Sequence, residues 1–557
     1  MKSEGEELTS IVKYLIDVGS EMTLDVKQLW LDKLPTELYI NNLVKKYSYK
    51  ENRFALNPMI GEYDDPTNQT QGLLTLNISE FGNAIIYGIS ESGKDELLQT
   101  MIYSLITNHD SNEVNLYVVD FGAETLNNFS DAPQIGDVIL SDEEEKLTNL
   151  IKLLNKEMND RKKLFAKFNG NYKDYLKYSE KTIPNIVVFI NYIEVMNELY
   201  IDLSEEFVPL IREGSKYGIY FIITTENQGS VRLKVTQGCK QVITLQLNNE
   251  MSYKDILGRT DGLVPSSNLG RGLIKLDSVV EFQSAFIDKP DSIISSIRKT
   301  TELLKNSGMS KARKIPIMPE LITLNMLENR YKDLNNIPIG ISKEALIPTY
   351  YNLKKNAINI VSANEMDNML KFIKNIIKIS ESKDSFDKLV IDANNIFDGF
   401  NYKIEYVNSD FNKAVEVLSK KNDSVNEVLN DNNMNIKSLD GHKDTLCIIL
   451  GFDKFYSKLS SENKELFNKI LYNSKEYGEI CFMLFDIPTN FKKYEYEIWF
   501  KDNINTSDGI WIGPGFTQQF LLKTQIQLSS FSNISSEYGV VIKNEMPVII
   551  KLINEIK

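Results

Sequence analysis

The chain alternates between short, fully apolar segments and longer segments whose apolar residues recur every three to four positions. Short apolar runs are typical of strands buried on both faces of a parallel sheet, and the longer spacing is typical of helices with one buried face. The pattern therefore predicts an α/β fold with a parallel sheet covered by helices on both faces. The predicted order in the first half is strand 84–88, helix 95–107, strand 114–120, helix 142–168, strand 185–191, helix 204–216, strand 218–225, and a β-rich end at 241–247, 270–276 and 279–287.

This pattern occurs twice along the chain. Asn83–Ile86 is matched by Asn356–Asn359, and Val118–Asp120 is matched by Val390–Asp392. The nearly constant spacing between matched segments favours a duplicated domain over chance similarity of short apolar strands. We therefore predict three parts: an N-terminal strap or linker at 1–50, a first domain at 51–308 and a second domain at 309–557.

The loop between the first predicted strand and helix carries the candidate chemistry. It has the spacing G-x-x-x-x-G-K and consists of Gly88, Ile89, Ser90, Glu91, Ser92, Gly93, Lys94 and Asp95. Glycines at these positions let backbone N–H groups approach phosphate oxygens, the helix start adds positive potential, and the lysine reaches the outer phosphates. We predict that ATP and Mg²⁺ can bind in the first domain. The alternative is a glycine-bearing turn before an ordinary packed helix.

Two positions depart from a working ATPase. A P-loop has Ser or Thr after the lysine as a Mg²⁺ ligand, whereas this chain has Asp95. The strand Ile186–Ile190 is followed by Asn191 and Tyr192, where an ATPase needs an acid for the metal shell and a base for the water. The nearest carboxylate, Glu194, lies beyond the usual position. We predict weak or absent hydrolysis and assign no catalytic residue. The alternative is a swap in which Asp95 carries the charge that Asn191 lacks.

The second copy has lost the loop chemistry. Its corresponding stretch, 361–368, contains no glycine and no lysine, and it carries two carboxylates, Glu365 and Asp367. Carboxylates in the phosphate region repel a nucleotide, so we predict no cofactor in the second domain. A fold that keeps its apolar core without the phosphate site suggests a scaffold or docking role.

The amino-acid composition argues against several classes of function. The net charge of −14 argues against a protein that grips nucleic acid, since such binding depends on Lys and Arg. Three separated cysteines and two histidines in 557 residues predict neither a disulfide framework nor a metal site. No apolar run approaches the roughly 18 residues of a membrane span, so the chain as given is expected to be cytoplasmic.

Several further motifs resemble those of one ATPase family. The residues that carry the resemblance are Trp30-Leu31, Tyr117–Gly122, Asp142–Lys146, Arg161–Phe165, Ile186–Tyr192, Leu257–Arg259, Gly270–Leu273, Glu281–Gln283, Arg313–Pro316 and Met318–Glu320. On these residues the chain resembles the FtsK/SpoIIIE-type ATPases and, among them, the C-terminal ATPase modules of EssC-type motors of type VII secretion. The match spans nearly the whole chain and is more specific in the first copy.

The resemblance implies two tandem RecA-like P-loop NTPase domains in the cytoplasmic portion of a cell-membrane protein. Implied partners are small helical-hairpin secreted substrates, other type VII secretion components and further copies of the motor, with no nucleic acid. By the same resemblance, Gly88 to Asp95 is the Walker A loop and Asn191 and Tyr192 stand at the Walker B position. Arg271 and Arg259 fall in segments that can face a neighbouring nucleotide, so both are arginine-finger candidates.

Three functions remain open from the sequence. The chain could be an ATP-binding module of a protein-export motor with slow or no turnover. It could instead be a pure pseudo-ATPase that acts as scaffold and substrate receptor. A DNA translocase of the same superfamily is the third, and the acidic composition argues against it.

Overall fold

The structure is a computed structural model that describes residues 4–22, 31–327, 331–397, 404–439, 442–526, 528–532 and 534–554. The chain divides into two compact units, Met1–Ile317 and Met318–Lys557. Residues 309–317, predicted to open the second domain, stay with the first unit. The Ala312 N–H donates to the Pro133 carbonyl at 2.7 Å, and the Arg313 carbonyl accepts from the Tyr117 hydroxyl at 2.7 Å.

The first unit has ten strands and eleven helices among its described residues. The strands are β1 Met59–Asp65, β2 Thr70–Thr75, β3 Ala84–Tyr87, β4 Val114–Asp120, β5 Ile135–Ile139, β6 Asn185–Asn191, β7 Ile219–Thr225, β8 Gln241–Thr244, β9 Arg271–Lys275 and β10 Val279–Ser284. The helices are α1 Glu4–Glu21, α2 Ile40–Tyr47, α3 Ile78–Phe81, α4 Lys94–Asn108, α5 Glu144–Phe165, α6 Tyr172–Tyr178, α7 Ile193–Leu199, α8 Ile201–Glu213, α9 Leu233–Thr236, α10 Glu250–Leu257 and α11 Ile293–Asn306.

The second unit repeats the strand pattern with fewer helices in the part of the chain that is described. Its strands are β11 Ile337–Ser342, β12 Pro348–Tyr351, β13 Ile358–Ser362, β14 Asp387–Asp392, β15 Glu405–Val407, β16 Thr445–Leu450, β17 Ile480–Phe485, β18 Gly509–Ile512, β19 Tyr538–Lys543 and β20 Met546–Leu552. Its helices are α12 Met366–Glu381, α13 Phe411–Asp431, α14 Phe452–Ser457, α15 Ser461–Tyr477, α16 Pro488–Lys492 and α17 Ile498–Asn503.

Each unit contains one ten-stranded sheet over its described residues, and the two sheets have the same strand order. The first runs β2-β1-β10-β9-β8-β3-β7-β6-β4-β5, and the second runs β12-β11-β20-β19-β18-β13-β17-β16-β14-β15. The strands from β8 to β5 are parallel, and β9, β10, β1 and β2 continue the sheet antiparallel. The predicted α/β fold with a mostly parallel sheet is confirmed.

Successive residues of the central strands belong to different hydrophobic cores, because side chains alternate across a sheet. In β3, Ala84 and Ile86 pack on one face with residues of α4, while Ile85 and Tyr87 pack on the other with residues of α5 and α8. The second sheet is likewise covered on both faces, by residues of α12 on one side and of α13 and α15 on the other. The prediction of helices on both faces of the sheet is therefore confirmed for both units.

The segment before the first sheet is bound to its antiparallel end. Leu34 and Leu38 are buried, the Leu38 carbonyl accepts from the Phe286 N–H at 2.7 Å, and the Ile40 N–H donates to the Phe286 carbonyl at 3.0 Å. These bonds lie within the segment predicted as a strap, 1–50, of which Trp30 lies outside the described residues. None of the helices in the described ranges is both long and apolar enough to cross a membrane.

Candidate functional site

The predicted phosphate loop connects the middle of the first sheet to α4. Strand β3 lies between β7 and β8, so the loop leaves the carboxyl edge of the sheet with a parallel strand on each side. The Gly88 N–H donates to the Thr225 carbonyl at 3.0 Å, and the Ile89 N–H donates to the Gln246 carbonyl at 2.9 Å. These two bonds fix the loop to the ends of both neighbouring strands.

The two glycines of the loop lie at crowded positions. Gly93 has φ +100°, and a Cβ there would lie 2.8 Å from the Gly270 nitrogen. A Cβ on Gly88 would clash with the Ser92 hydroxyl oxygen, which is the end of a side chain. A larger residue at 93 would therefore strain the backbone, and one at 88 would displace the Ser92 side chain.

The start of α4 offers hydrogen-bond donors that the protein does not use. The N–H groups of Gly93, Lys94 and Asp95 have no acceptor among the described residues. The Ser92 hydroxyl is buried in the loop and likewise has no partner there. Unused donors at a helix N-terminus, together with the positive end of the helix dipole, form a site suited to an anion such as phosphate.

Lys94 lies inside this loop with its side chain buried. Its Nζ donates to the Ile89 carbonyl at 3.1 Å and to the Gly88 carbonyl, and it lies 4.5 Å from the centroid of the Tyr192 ring. Burial lowers the pKa of Lys94, while the charges of Glu226, Glu194 and Asp95 oppose that change. The ammonium therefore lies against one aromatic face and feels the charge of three carboxylates.

Asp95 and the Walker B position are in direct contact. The Asn191 Nδ2 donates to Asp95 Oδ1 at 2.7 Å and to Asp120 Oδ1 at 2.9 Å, and Asn191 Oδ1 accepts from the Thr224 hydroxyl at 2.7 Å. Burial raises the pKa of Asp95, and the bond from Asn191 opposes it. One amide thus lies between two carboxylates at the carboxyl ends of β4 and β6.

Tyr192 has a constrained backbone at the end of β6. Its φ is +56°, in the left-handed region, and its N–H donates to the Thr224 hydroxyl at 2.9 Å. Its ring packs on Gly122, where a Cβ would lie 2.6 Å from ring carbon Cε2. Burial and the nearby carboxylates, Asp95 first among them, raise the pKa of Tyr192 well above its ordinary value. The phenol is therefore unable to act as a base near neutral pH.

Glu194 contacts the backbone just after β7. Its Oε1 accepts from the Glu226 N–H at 3.2 Å, and its Oε2 is buried with no partner among the described residues. Burial raises the pKa of Glu194, and the charge of Lys94 partly offsets this.

Sequence reasoning missed Thr224 and Glu226. Thr224 lies at the end of β7 and Glu226 comes directly after it. The rule that polar residues at parallel strand ends gather at one sheet edge could have identified both.

The two arginine-finger candidates have different surroundings. Arg271 is buried and donates to the carbonyls of Leu34 and Pro35, each at 3.1 Å, and to Gln283 at 3.0 Å. Its guanidinium is thus held within the first unit, where it fixes the strap. Arg259 is exposed and pairs with Asp261 at 2.6 Å. Arg259 is therefore the candidate with an accessible guanidinium, and its role stays a prediction.

The second unit has no comparable loop. Three residues, 363–365, join β13 to α12, whereas six residues, 88–93, join β3 to α4. The Ser362 hydroxyl donates to the Asp486 carbonyl at 2.7 Å, and Asn364 packs so closely on Gly515 that a Cβ there would lie 1.8 Å from its amide nitrogen. The shorter connection leaves no backbone to surround a phosphate.

The chain is similar in sequence to a known protein family and to several curated proteins. Residues 46–261 match the FtsK/SpoIIIE family. The ESX secretion system protein YukB of Bacillus subtilis (strain 168) is 26% identical over 368 residues, which cover 63% of this chain and 24% of YukB. The type VII secretion system protein EssC of Staphylococcus aureus (strain MRSA252) is 24% identical over 410 residues, which cover 70% of this chain and 27% of EssC.

Solved structures share the fold of both units. ATPases 2 and 3 of EssC from Geobacillus thermodenitrificans have a TM-score of 0.79 at 19% identity, covering 95% of this chain and all of that one. ATPases 2 and 3 of Thermomonospora curvata EccC, in complex with a signal sequence peptide, have a TM-score of 0.55 at 16% identity, covering 91% of this chain and 94% of that one. The resemblance seen in the sequence is confirmed, and the chain spans about a quarter of the length of the curated relatives it matches.

Proposed function

We propose that the chain is the ATPase-domain part of a type VII protein secretion motor. The proposal starts from the match of residues 46–261 to the FtsK/SpoIIIE family. In this proposal the first unit holds a nucleotide and the second unit does not. The observation that carries it is the contrast between the two loops. One has unused N–H donors beside an enclosed lysine, and the other is three residues shorter and packed against a neighbouring turn.

The residues of the first unit suit the phosphates of a nucleotide. The N–H groups of Gly93 to Asp95 and the Ser92 hydroxyl would bind phosphate oxygens, and Lys94 would balance their charge. Asp95 supplies a carboxylate oxygen, the ligand type that Mg²⁺ takes alongside substrate phosphates. Asp120 is buried, and both of its oxygens already accept N–H bonds. Bound Mg²⁺ would offset the negative charge of the phosphates.

Hydrolysis is expected to be weak, because the position next to Asn191 has no base. Tyr192 keeps its proton near neutral pH, and its ring lies over Lys94. The next carboxylate along the chain is Glu194, whose Oε2 is buried. The part of the site that would activate water is thus altered, while the part that binds phosphate is kept.

The second unit offers a surface for a secreted substrate. A pocket of about 340 Å³ is lined by apolar residues, by three lysines and by one glutamate, so its charged lining is net positive: Phe491, Phe500, Ile504, Phe520, Leu521, Lys492, Lys501, Lys523 and Glu495. Such a pocket suits an apolar side chain flanked by acidic residues. We propose that it receives the signal segment of a small helical-hairpin protein. The EccC structure was solved with a signal sequence peptide.

The proposal includes the cellular setting implied by the relatives. The chain would form the cytoplasmic portion of a membrane-anchored protein that works with other secretion components and with further copies of itself. The peptide part is tested by fluorescence anisotropy with a labelled signal segment: Phe520→Glu should weaken binding at least tenfold, whereas an unchanged affinity would exclude this pocket.

The nucleotide part is tested by titrating Mg²⁺ and nucleotide into the full chain. We expect saturable binding that Lys94→Ala abolishes, with Lys374→Ala on α12 as the control in the second unit. Absence of binding at millimolar nucleotide would leave the alternative, a pure scaffold and substrate receptor.

A further inference from the structure

The Lys94 ammonium is covered on the side of β6. Its Nζ bonds to loop carbonyls, the face of the Tyr192 ring lies 4.5 Å away, and the residue is only 2% exposed. In a P-loop the inner phosphates lie against the backbone at the helix start, and the outermost phosphate lies toward the strand that carries the metal and water-positioning residues. Tyr192 stands at the end of that strand. Its ring therefore lies where the third phosphate of a nucleotide would come.

The ring position is set by local structure. The Tyr192 backbone is left-handed at φ +56°, its N–H is bonded to Thr224, and its ring rests on the backbone of Gly122. Both Tyr192 and Gly451 of the second unit cap the short helix after the corresponding strand, and Gly451 has φ +73°. Glycine adopts this conformation without a steric penalty. The fold does not require an aromatic ring at this position.

The charges around Lys94 also disfavour a third phosphate. Asp95, Glu194 and Glu226 all influence the ammonium electrostatically, and Asp120 lies behind Asn191. A third phosphate would add negative charge to a pocket that already holds several carboxylates and one cation. The N–H donors of Gly93 to Asp95 are on the loop side and serve the inner phosphates equally well with or without it.

We infer that this site selects a nucleoside diphosphate over a triphosphate, with Tyr192 as the residue that closes the third-phosphate compartment. The inference rests on the proposed function of residues 88–95 as a nucleotide loop. It adds a ligand class and a specificity residue to that function. A chain of this kind would take up the product of nucleotide hydrolysis in preference to its substrate.

The test is calorimetric titration of the full chain with ADP and with ATPγS, each in excess Mg²⁺. We expect ADP to bind about tenfold more tightly or better. Tyr192→Gly, which introduces the residue found at position 451, should tighten ATPγS binding and reduce the ratio at least fivefold. Tyr192→Phe keeps the ring over Lys94 and should keep the preference.

The outcomes separate the inference from its premise. Equal affinities, or tighter ATPγS binding, in the unaltered chain would overturn the diphosphate preference and leave the nucleotide loop intact. Binding of neither nucleotide would overturn both. If Tyr192→Gly does not fold, Tyr192→Asn replaces it, because asparagine tolerates the left-handed region. An unchanged ratio in a folded ring-deletion variant would overturn the role of Tyr192.

Discussion

Asp95 and Asn191 stand at the two positions where a P-loop ATPase has a hydroxyl and a carboxylate. The structure keeps the contact between these positions, with Asn191 Nδ2 donating to Asp95 at 2.7 Å, but the negative charge has moved from the strand end to the helix start. Asn191 also bonds to Asp120, so its amide screens two carboxylates from each other. The sequence left as an alternative a swap in which Asp95 carries the charge that Asn191 lacks, and this swap stays a prediction.

The swap predicts a strong coupling between the two residues. Asn191→Asp alone would put three carboxylates together, and we expect it to destabilise the first unit by about 2–3 kcal/mol. Adding Asp95→Ser restores the usual pair and should recover the stability to within about 1 kcal/mol. Pulse proteolysis in urea at pH 8, scored on fragments of the first unit, measures both. Additive effects of the two substitutions would contradict the swap.

Single residues of the site were only partly predictable. The G-x-x-x-x-G-K spacing predicted a loop between a strand and a helix at 88–95, and the apolar run before Asn191 predicted a strand end there, because both patterns are local; the roles of these residues stay predictions. The contact between Lys94 and Tyr192 was not predictable, since it needs the strand order β3-β7-β6 and a left-handed backbone at a non-glycine residue. The buried role of Arg271 was missed because its partners, Leu34 and Pro35, are more than 200 positions away.

Among the elements, the buried strands and the helices that cover them were predicted within a few residues. Strands β1, β2 and β5 were not predicted. They lie at or near the edges of the sheet and carry polar residues such as Glu62, Asp64 and Asp137, so the continuous apolar run of a central strand is missing. Edge strands are defined by their neighbours more than by their own pattern.

One buried cluster joins the end of α4 to the segment before β1. His109 Nε2 lies 2.7 Å from Glu51 and its Nδ1 lies 3.0 Å from Glu113, which also pairs with Arg53. Burial by itself lowers the pKa of His109, but the two carboxylates outweigh it, so the net pKa is raised above the ordinary value. The two carboxylates thus favour the charged form of His109, and their bonds to its ring tie the two elements together.

Because the pKa of His109 is raised in the folded state, the stability of the first unit depends on pH. A raised pKa in the folded state gives stability that is fully present below the unfolded value of about 6.5 and is lost as pH rises through the folded value. The first unit should therefore be more stable at pH 6 than at pH 9 as far as this cluster is concerned. Urea midpoints from pulse proteolysis at both pH values measure it. His109→Gln should remove this difference, and a variant with the same dependence would count against the cluster.

At the scale of the whole molecule, the two units share one strand order but differ in their helices and in the loop that follows β3 and β13. The duplication was visible in the sequence because the apolar strands and their end residues are spaced alike. Even the anchor of the preceding segment is repeated, with Arg271 holding the Pro35 carbonyl in one unit and Lys551 holding the Pro319 carbonyl at 2.9 Å in the other. Asp120 and Asp392 likewise each accept two backbone N–H bonds just after their strands.

The central claim is that the first unit holds the nucleotide and the second does not. Hydrogen exchange of the full chain, with and without saturating ADP and Mg²⁺, tests it most directly, because the N–H groups of Gly93 to Asp95 have no acceptor among the described residues. We predict at least tenfold slower exchange in a peptide covering 88–97 on adding nucleotide, and no change in a peptide covering 361–369. No protection at 88–97, or equal protection at both loops, would contradict the account.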